Sequence, residues 1–331
     1  MLDVEGTAVT AEERERLRHP ATGGVILFRR NYESPTQITV LVATIRATRP
    51  ELLVAVDHEG GRVQRFLDGF THLPPAARYS SLDDPDLVEK AGWLMAAELR
   101  AIGIDFSFAP VLDVESGISQ VIGDRAFGTE PETVTRLAAA FVRGMHRAGM
   151  AAVGKHFPGH GGVVEDSHLA LPVDMRPLSE LEQRDLKPFR VLLAEGLEGI
   201  MPAHVIYERI DPRPAGFSPF WIQTILRGQY GYTGAIFSDD LSMAGAAYAG
   251  GPVDRARLAL EAGCDMVLVC NAPGAAAEVL DALANLPPDP TRTGHLEPMR
   301  GRFPIDREAL LGSIEWRETA ARIAALNETA P

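Results

Sequence analysis

Two cysteines in 331 residues, Cys264 and Cys270, exclude a disulfide framework. They flank the apolar run Asp-Met-Val-Leu-Val; six residues apart on one strand, they share a face but stand too far apart to bridge. Buried free thiols are expected, which suits a reducing cytoplasm. Long apolar runs are also missing: none approaches the roughly 18 residues of a membrane span. The first segment, MLDVEGTAVTAEERERL, has neither a basic n-region nor an apolar h-region, so no secretion signal is read there. Basic residues are in deficit, 32 Lys and Arg against 45 Asp and Glu, for a net charge of −13. That balance disfavours nucleic acid and anionic membranes as partners. No G-x-G-x-x-G follows a strand and no Walker motif exists, so nucleotide-binding signatures are lacking. Internal repeats and low-complexity segments are absent too. What remains, 46% hydrophobic and 23% charged residues, is the composition of a soluble globular protein.

Short apolar runs alternate with helical patterns. Eight strands are expected: Leu2–Val4, Gly24–Phe28, Leu52–Asp57, Phe106–Pro110, Ala151–Phe157, Gly199–Val205, Ala235–Asp239 and Met266–Cys270. Several are continuously apolar, as strands buried on both faces of a parallel sheet should be. Helix starts are legible between them. Thr10-Ala11-Glu12-Glu13 is a capping box, and Ser34-Pro35 and Asp84-Pro85 pair a capping side chain with Pro at the first helical position. Other starts fall at Glu130-Pro131, Ser179–Glu182, Ser218-Pro219 and Pro252. Leu87, Ala91, Leu94, Met95 and Leu99 recur at helical spacing and predict a core-facing stripe. The polar, Pro-rich stretch from Leu286 to Pro304 predicts a long loop, and about Asp306–Leu326 a final helix. Eight β-then-α units in one chain predict the α/β class and a single (β/α)8 TIM-type barrel spanning residues 1–331 as one catalytic domain.

The chain is organised around AAVGKHFPGHGGVVEDSH, Ala151 to His168. A buried strand ends in Lys155 and His156, then enters a stretch whose Pro158, Gly159, Gly161 and Gly162 forbid a regular element and predict a mobile loop. Asp166 lies two residues from His168, close enough to accept its ring N–H, fix the tautomer and raise the imidazole's basicity. Other strands end likewise: Asp57-His58-Glu59 with Arg65 behind, Asp113 followed by Asp124-Arg125, His204, Ser238-Asp239-Asp240 and Asn271. A helix cap or surface salt bridge explains any one of these residues. Their recurrence at the ends that form a barrel's active face argues for a polar ligand pocket.

Carboxylates, arginines and a lysine without a cofactor fingerprint suit a polyhydroxylated ligand, meaning a sugar. Sugar hydrolysis needs a nucleophile or base on one side of the ring and a proton donor at the leaving oxygen. Asp239, on a rigid strand end, fits the first role, and His168, oriented by Asp166, the second. Asp240 competes with Asp239. Alternation of faces lets only one of the two enter the barrel mouth, the other bonding backbone or capping the next helix.

Nearly end to end, the chain resembles the bacterial β-N-acetylglucosaminidases (β-N-acetylhexosaminidases) of glycoside hydrolase family 3. The likeness rests on GGVILFRRNYES (Gly23–Ser34), AVDHEGGRVQR (Ala55–Arg65), FSFAPVLDV (Phe106–Val114) and IGDRAFG (Ile122–Gly128). It continues in GKHFPGHGGVVEDSH (Gly154–His168), MPAHVIY (Met201–Tyr207), GAIFSDDLSM (Gly234–Met243) and AGCDMVLVC (Ala262–Cys270). The resemblance implies a retaining mechanism through a glycosyl-enzyme, with Asp239 as nucleophile and His168, paired with Asp166, as acid/base. It implies that Asp57, Arg65, Arg125, Lys155 and His156 bind the sugar's hydroxyls and acetamido group, with no cofactor. It implies a compact, intracellular, monomeric enzyme that trims N-acetylglucosamine from cell-wall turnover fragments bearing anhydro-N-acetylmuramic acid and a stem peptide. One departure is His58, where the pattern calls for Gln and which would therefore bear on the shape of the sugar pocket.

Three alternatives are open at this level. His156-x-x-x-His160 with Asp166 and His168 has zinc-ligand types, although Pro158 and Gly159 inside the pair keep it off a helix face, and a metal-dependent barrel hydrolase would use it. A phosphorylase is compatible with a neutral histidine acid/base, which does not repel phosphate. A silent sugar-binding barrel would not need Asp239, His168 and Asp166 together.

Overall fold

Among the described residues, seven strands run parallel, each where an apolar run was expected. They are β1 (Gly24–Leu27), β2 (Leu53–Val56), β3 (Phe106–Ser107), β4 (Ala151–Phe157), β5 (Gly199–Pro202), β6 (Ala235–Asp240) and β7 (Met266–Leu268), hydrogen-bonded in chain order. This computed structural model describes residues 1–119, 121–164, 167, 171–287 and 289–328. The expected first strand contracts to Leu2, which bridges in parallel to Val25 of β1 on one side and to Val269, just past β7, on the other. The Met1 carbonyl accepts the Val269 N–H at 3.0 Å and the Leu2 carbonyl the Ile26 N–H at 2.9 Å, so the N-terminal residues close the curled sheet. Asp3 turns out of the ladder, accepting the Asn271 N–H at 2.9 Å and pairing with Arg30. The result is the expected TIM-type α/β barrel.

The barrel interior is packed. Phe106, Phe108 and Phe237 meet at ring-centroid distances of 5.1, 5.3 and 5.4 Å, filling it below the β3 and β6 ends. Capping works as its residues predict: Thr10 and Glu13 complete their box, and Ser34 and Asp84 accept the N–H groups of Gln37 and Leu87. The stripe Leu87, Ala91, Leu94, Met95 and Leu99 is buried. Cys264 and Cys270 are free and buried.

Two expectations need correction. The stretch Leu286–Pro304 contains a helix, Pro290–Leu296, whose first turn is capped by Asp289. The final helix is two, Arg307–Gly312 and Ile314–Glu328, because Ser313 leaves helical geometry and its Oγ accepts the Trp316 N–H.

Candidate active site

A cavity of about 440 Å³ opens at the C-terminal ends of the strands. Asp57, Arg65, Arg125, Lys155, His156 and Asp239, the six described candidates from five chain segments, all line it. Asp166 and His168 lie outside the described residues; Ser167 between them is described and lines the same cavity.

Beyond β2 the chain stays extended through His58–Gly60. Period-two alternation therefore sends Asp57 and Glu59 to one side and His58 to the other. Asp57 and Glu59 reach the cavity. His58 does not line it. Its ring packs 5.9 Å from Phe66 and 6.2 Å from Phe70, and burial together with the nearby Arg65 charge lowers its pKa to about 3, so it stays neutral. His58 thus bears on the packing against Phe66 and Phe70, not on the pocket surface.

Glu59 had no assigned role in the sequence reading, yet it ties the polar floor together. Lys155 Nζ lies 2.6 Å from its Oε1 and 2.8 Å from Asp57 Oδ1. Arg125 grips Glu59 with two bonds of 2.8 Å, from Nε and Nη2, and Arg65 stands 3.5 Å from Asp57. Burial would raise both carboxyl pKa values. Lys155 and Arg65 outweigh it at Asp57, and Arg125 and Lys155 at Glu59, so both are held below the ordinary carboxylate range. Lys155 is the mirror case: burial lowers its pKa, but Asp57 and Glu59 carry it above the ordinary lysine value. The floor is therefore an ion-paired network of two carboxylates and three cations, offering both acceptors and donors to hydroxyl groups.

His156 follows Lys155 directly, and both face the cavity because the β4–β5 register shifts between Lys155 and Phe157. The fully buried Asp113 lies 2.7 Å from His156 Nδ1 and accepts the backbone N–H of His160 at 2.6 Å. Burial raises the Asp113 pKa, but His156 more than offsets it and the group sits below its ordinary value. An ionised carboxylate at Nδ1 requires the Nδ1–H tautomer and leaves Nε2 as the other ring nitrogen. Asp113→Asn should then lower stability by about 1–3 kcal/mol, the loss of one charge-assisted hydrogen bond to a buried ring nitrogen, read as a lower melting temperature in thermal unfolding.

Asp239 and Asp240 both line the cavity, which corrects the expectation that only one enters the mouth. The β6–β7 register shifts between Phe237 and Asp240, breaking the alternation. The two carboxylates still differ in what they do. Asp240 Oδ1 accepts the N–H groups of Ser242 at 2.9 Å and Cys270 at 3.0 Å, and Oδ2 accepts the Ser242 hydroxyl at 2.6 Å. Asp240 is thus bound to backbone, and Asp239 Oδ1 accepts the Asp240 N–H at 2.8 Å. His204, another strand-end candidate, does not line the cavity; its Nε2 lies 3.2 Å from the Asp240 carbonyl.

The glycines after β4 answer close approaches rather than freedom. A Cβ on Gly161 would lie 2.0 Å from the Val114 carbonyl oxygen, and one on Gly162 2.0 Å from the Arg176 guanidinium. Gly159, at φ +135°, abuts Asp185, and its carbonyl accepts the Tyr207 hydroxyl at 2.7 Å. The mobile loop expected from these residues is, over its first half, packed. Among the described residues, no three His, Cys, Asp or Glu side chains cluster as a metal site would need.

Comparison with known proteins adds four findings. Residues 1–288 match the glycosyl hydrolase family 3 N terminal domain. A beta-hexosaminidase of Methylococcus capsulatus is 62% identical over 333 residues, covering 100% of both chains. Native NagZ from Neisseria gonorrhoeae superposes with a TM-score of 0.94 at 45% identity, over 100% of this chain and 97% of that one. The same protein in complex with N-trifluoroacetyl-D-glucosamine gives a TM-score of 0.93 at 45% identity, over 98% and 97%.

Proposed function

The chain belongs to glycosyl hydrolase family 3, and from that premise we propose that it is a retaining exo-β-N-acetylglucosaminidase built as one catalytic domain over residues 1–331. It removes terminal N-acetylglucosamine from peptidoglycan turnover fragments of the N-acetylglucosaminyl-1,6-anhydro-N-acetylmuramyl-peptide class. It works in the cytoplasm as a monomer and needs no nucleic acid or membrane.

The observation that carries this reading is the convergence of Asp57, Arg65, Arg125, Lys155 and His156 on the cavity that Asp239 also lines. Asp57 and Lys155 bind sugar hydroxyls, and Arg65, Arg125 and His156 complete the grip on the ring and its acetamido group. Asp239 attacks the anomeric carbon as the glycosidic bond breaks, giving a covalent glycosyl-aspartate. His168, its ring oriented by Asp166, gives a proton to the departing oxygen. It then takes one from the water that cleaves the intermediate, restoring both residues. The N-trifluoroacetyl-D-glucosamine complex of the gonococcal NagZ supports an N-acylated amino sugar as the ring bound.

Incubation with the disaccharide-peptide in phosphate buffer tests the reading. Release of free N-acetylglucosamine, first as the β-anomer by NMR, is expected. The sugar 1-phosphate as main product would make the enzyme a phosphorylase, and the α-anomer first would exclude retention.

A further inference from the structure

Ser167 stands between the two residues assigned to proton transfer, and it is held from both sides. It is 2% exposed. Its Oγ lies 3.2 Å from Nε2 of His160, and its carbonyl accepts the Gly245 N–H at 2.9 Å. His160 is fixed in turn: it is 1% exposed and its backbone N–H donates to Asp113, the carboxylate that also holds His156. Gly245 belongs to the turn Ala244–Ala249, which follows Asp239 and Asp240 at the end of β6. A side chain at position 245 would meet the Ser167 carbonyl oxygen and the His204 Cβ, each at 3.0 Å, so this contact favours glycine.

Hydrogen-bond accounting gives the bond its sense. Burial, and then His156, lower the His160 pKa, which keeps the ring neutral with a single N–H. Among the described residues, Nδ1 is buried without a partner. An orphaned buried N–H is rarer and costlier than a bare lone pair, so the proton sits on Nε2 and donates to Ser167 Oγ.

We propose that Ser167 and His160 form an anchor on which the proton transfer assigned to His168 depends, with Ser167 tied at once to the β4 loop through His160 and to the β6 turn through Gly245. Ser167 and His160 are positioning residues in this scheme, and their function rests on the assignment of His168 as acid/base.

The test is the ratio of kcat/KM for an alkyl and a 2,4-dinitrophenyl β-N-acetylglucosaminide, measured on one preparation so that the folded fraction cancels. Ser167→Ala and His160→Phe should each lower the alkyl value about threefold to tenfold, the size of one hydrogen bond, and leave the dinitrophenyl value within about twofold. The double variant should be no worse than the more affected single one, because both remove the same bond. His160→Gln, which returns an amide donor near Nε2, should recover most of the loss. His168→Ala is run alongside. If it loses selectively on the alkyl substrate while Ser167→Ala and His160→Phe lose equally on both or on neither, the anchor is wrong and the acid/base assignment stands. If His168→Ala itself loses equally on both, the assignment fails and the anchor's function fails with it.

Discussion

Asp239→Ala should lower turnover on the order of 10⁴–10⁶-fold, the scale seen when a covalent nucleophile is removed, while Asp240→Ala retains measurable activity. Both carboxylates line the cavity, so position alone does not separate them. Their bonding does. Asp240 accepts three hydrogen bonds, two from Ser242 and one from the Cys270 N–H, which join β6 to the chain after β7. Burial raises its pKa, the Ser242 and Cys270 bonds pull the other way, and the neighbouring Asp239 charge raises it further; the net shift is upward. A carboxylate in that position serves structure, and its removal leaves backbone donors unpaired at a cost of about 1–3 kcal/mol. Asp240→Ala should therefore melt several degrees lower yet still release nitrophenol, measured as kcat on the nitrophenyl glycoside. A dead Asp240→Ala beside an active Asp239→Ala would move the nucleophile by one residue.

His168→Ala should lose roughly 10²–10⁴-fold on a disaccharide-type substrate, whose departing alkoxide needs a proton, and far less in glycosylation with a nitrophenyl leaving group. Deglycosylation still needs a base to activate water, so the glycosyl-enzyme should accumulate and show as a burst of nitrophenol before a slow steady rate. Asp166→Asn should give a milder version, because it keeps the shape but weakens the partner proposed to orient the imidazole. Equal loss of kcat/KM on both substrate classes would mean that His168 is not the proton donor.

The barrel was legible because strands buried on both faces read as continuous apolar runs, and because Ser, Thr and Asp caps with following prolines mark helix starts. Where reading failed, a local signal was outweighed by composition. Asp289-Pro290 carries the same start signature as Asp84-Pro85, but the polar residues around it read as loop; Gly312-Ser313 marks a break inside an otherwise helical pattern. Within the site, Glu59 follows from Asp57 by strand period, two residues on and therefore on the same side. The pairs Lys155-His156 and Asp239-Asp240 defeat the same rule, because both strands shift register at the barrel rim. Nothing in the side chains announces such a shift. Glycines alone do not distinguish freedom of the backbone from close approach, here of Val114, Arg176 and Asp185 to the β4 loop.

Trapping with a fluorinated N-acetylglucosaminyl donor, followed by peptide mapping, addresses the nucleophile, the covalent step and the site together. The expected result is one modified peptide spanning the end of β6, with the label on Asp239 and activity lost in step with labelling. A label on Asp240 or another residue, or full turnover of the donor without any trapped species, would contradict a glycosyl-Asp239 intermediate.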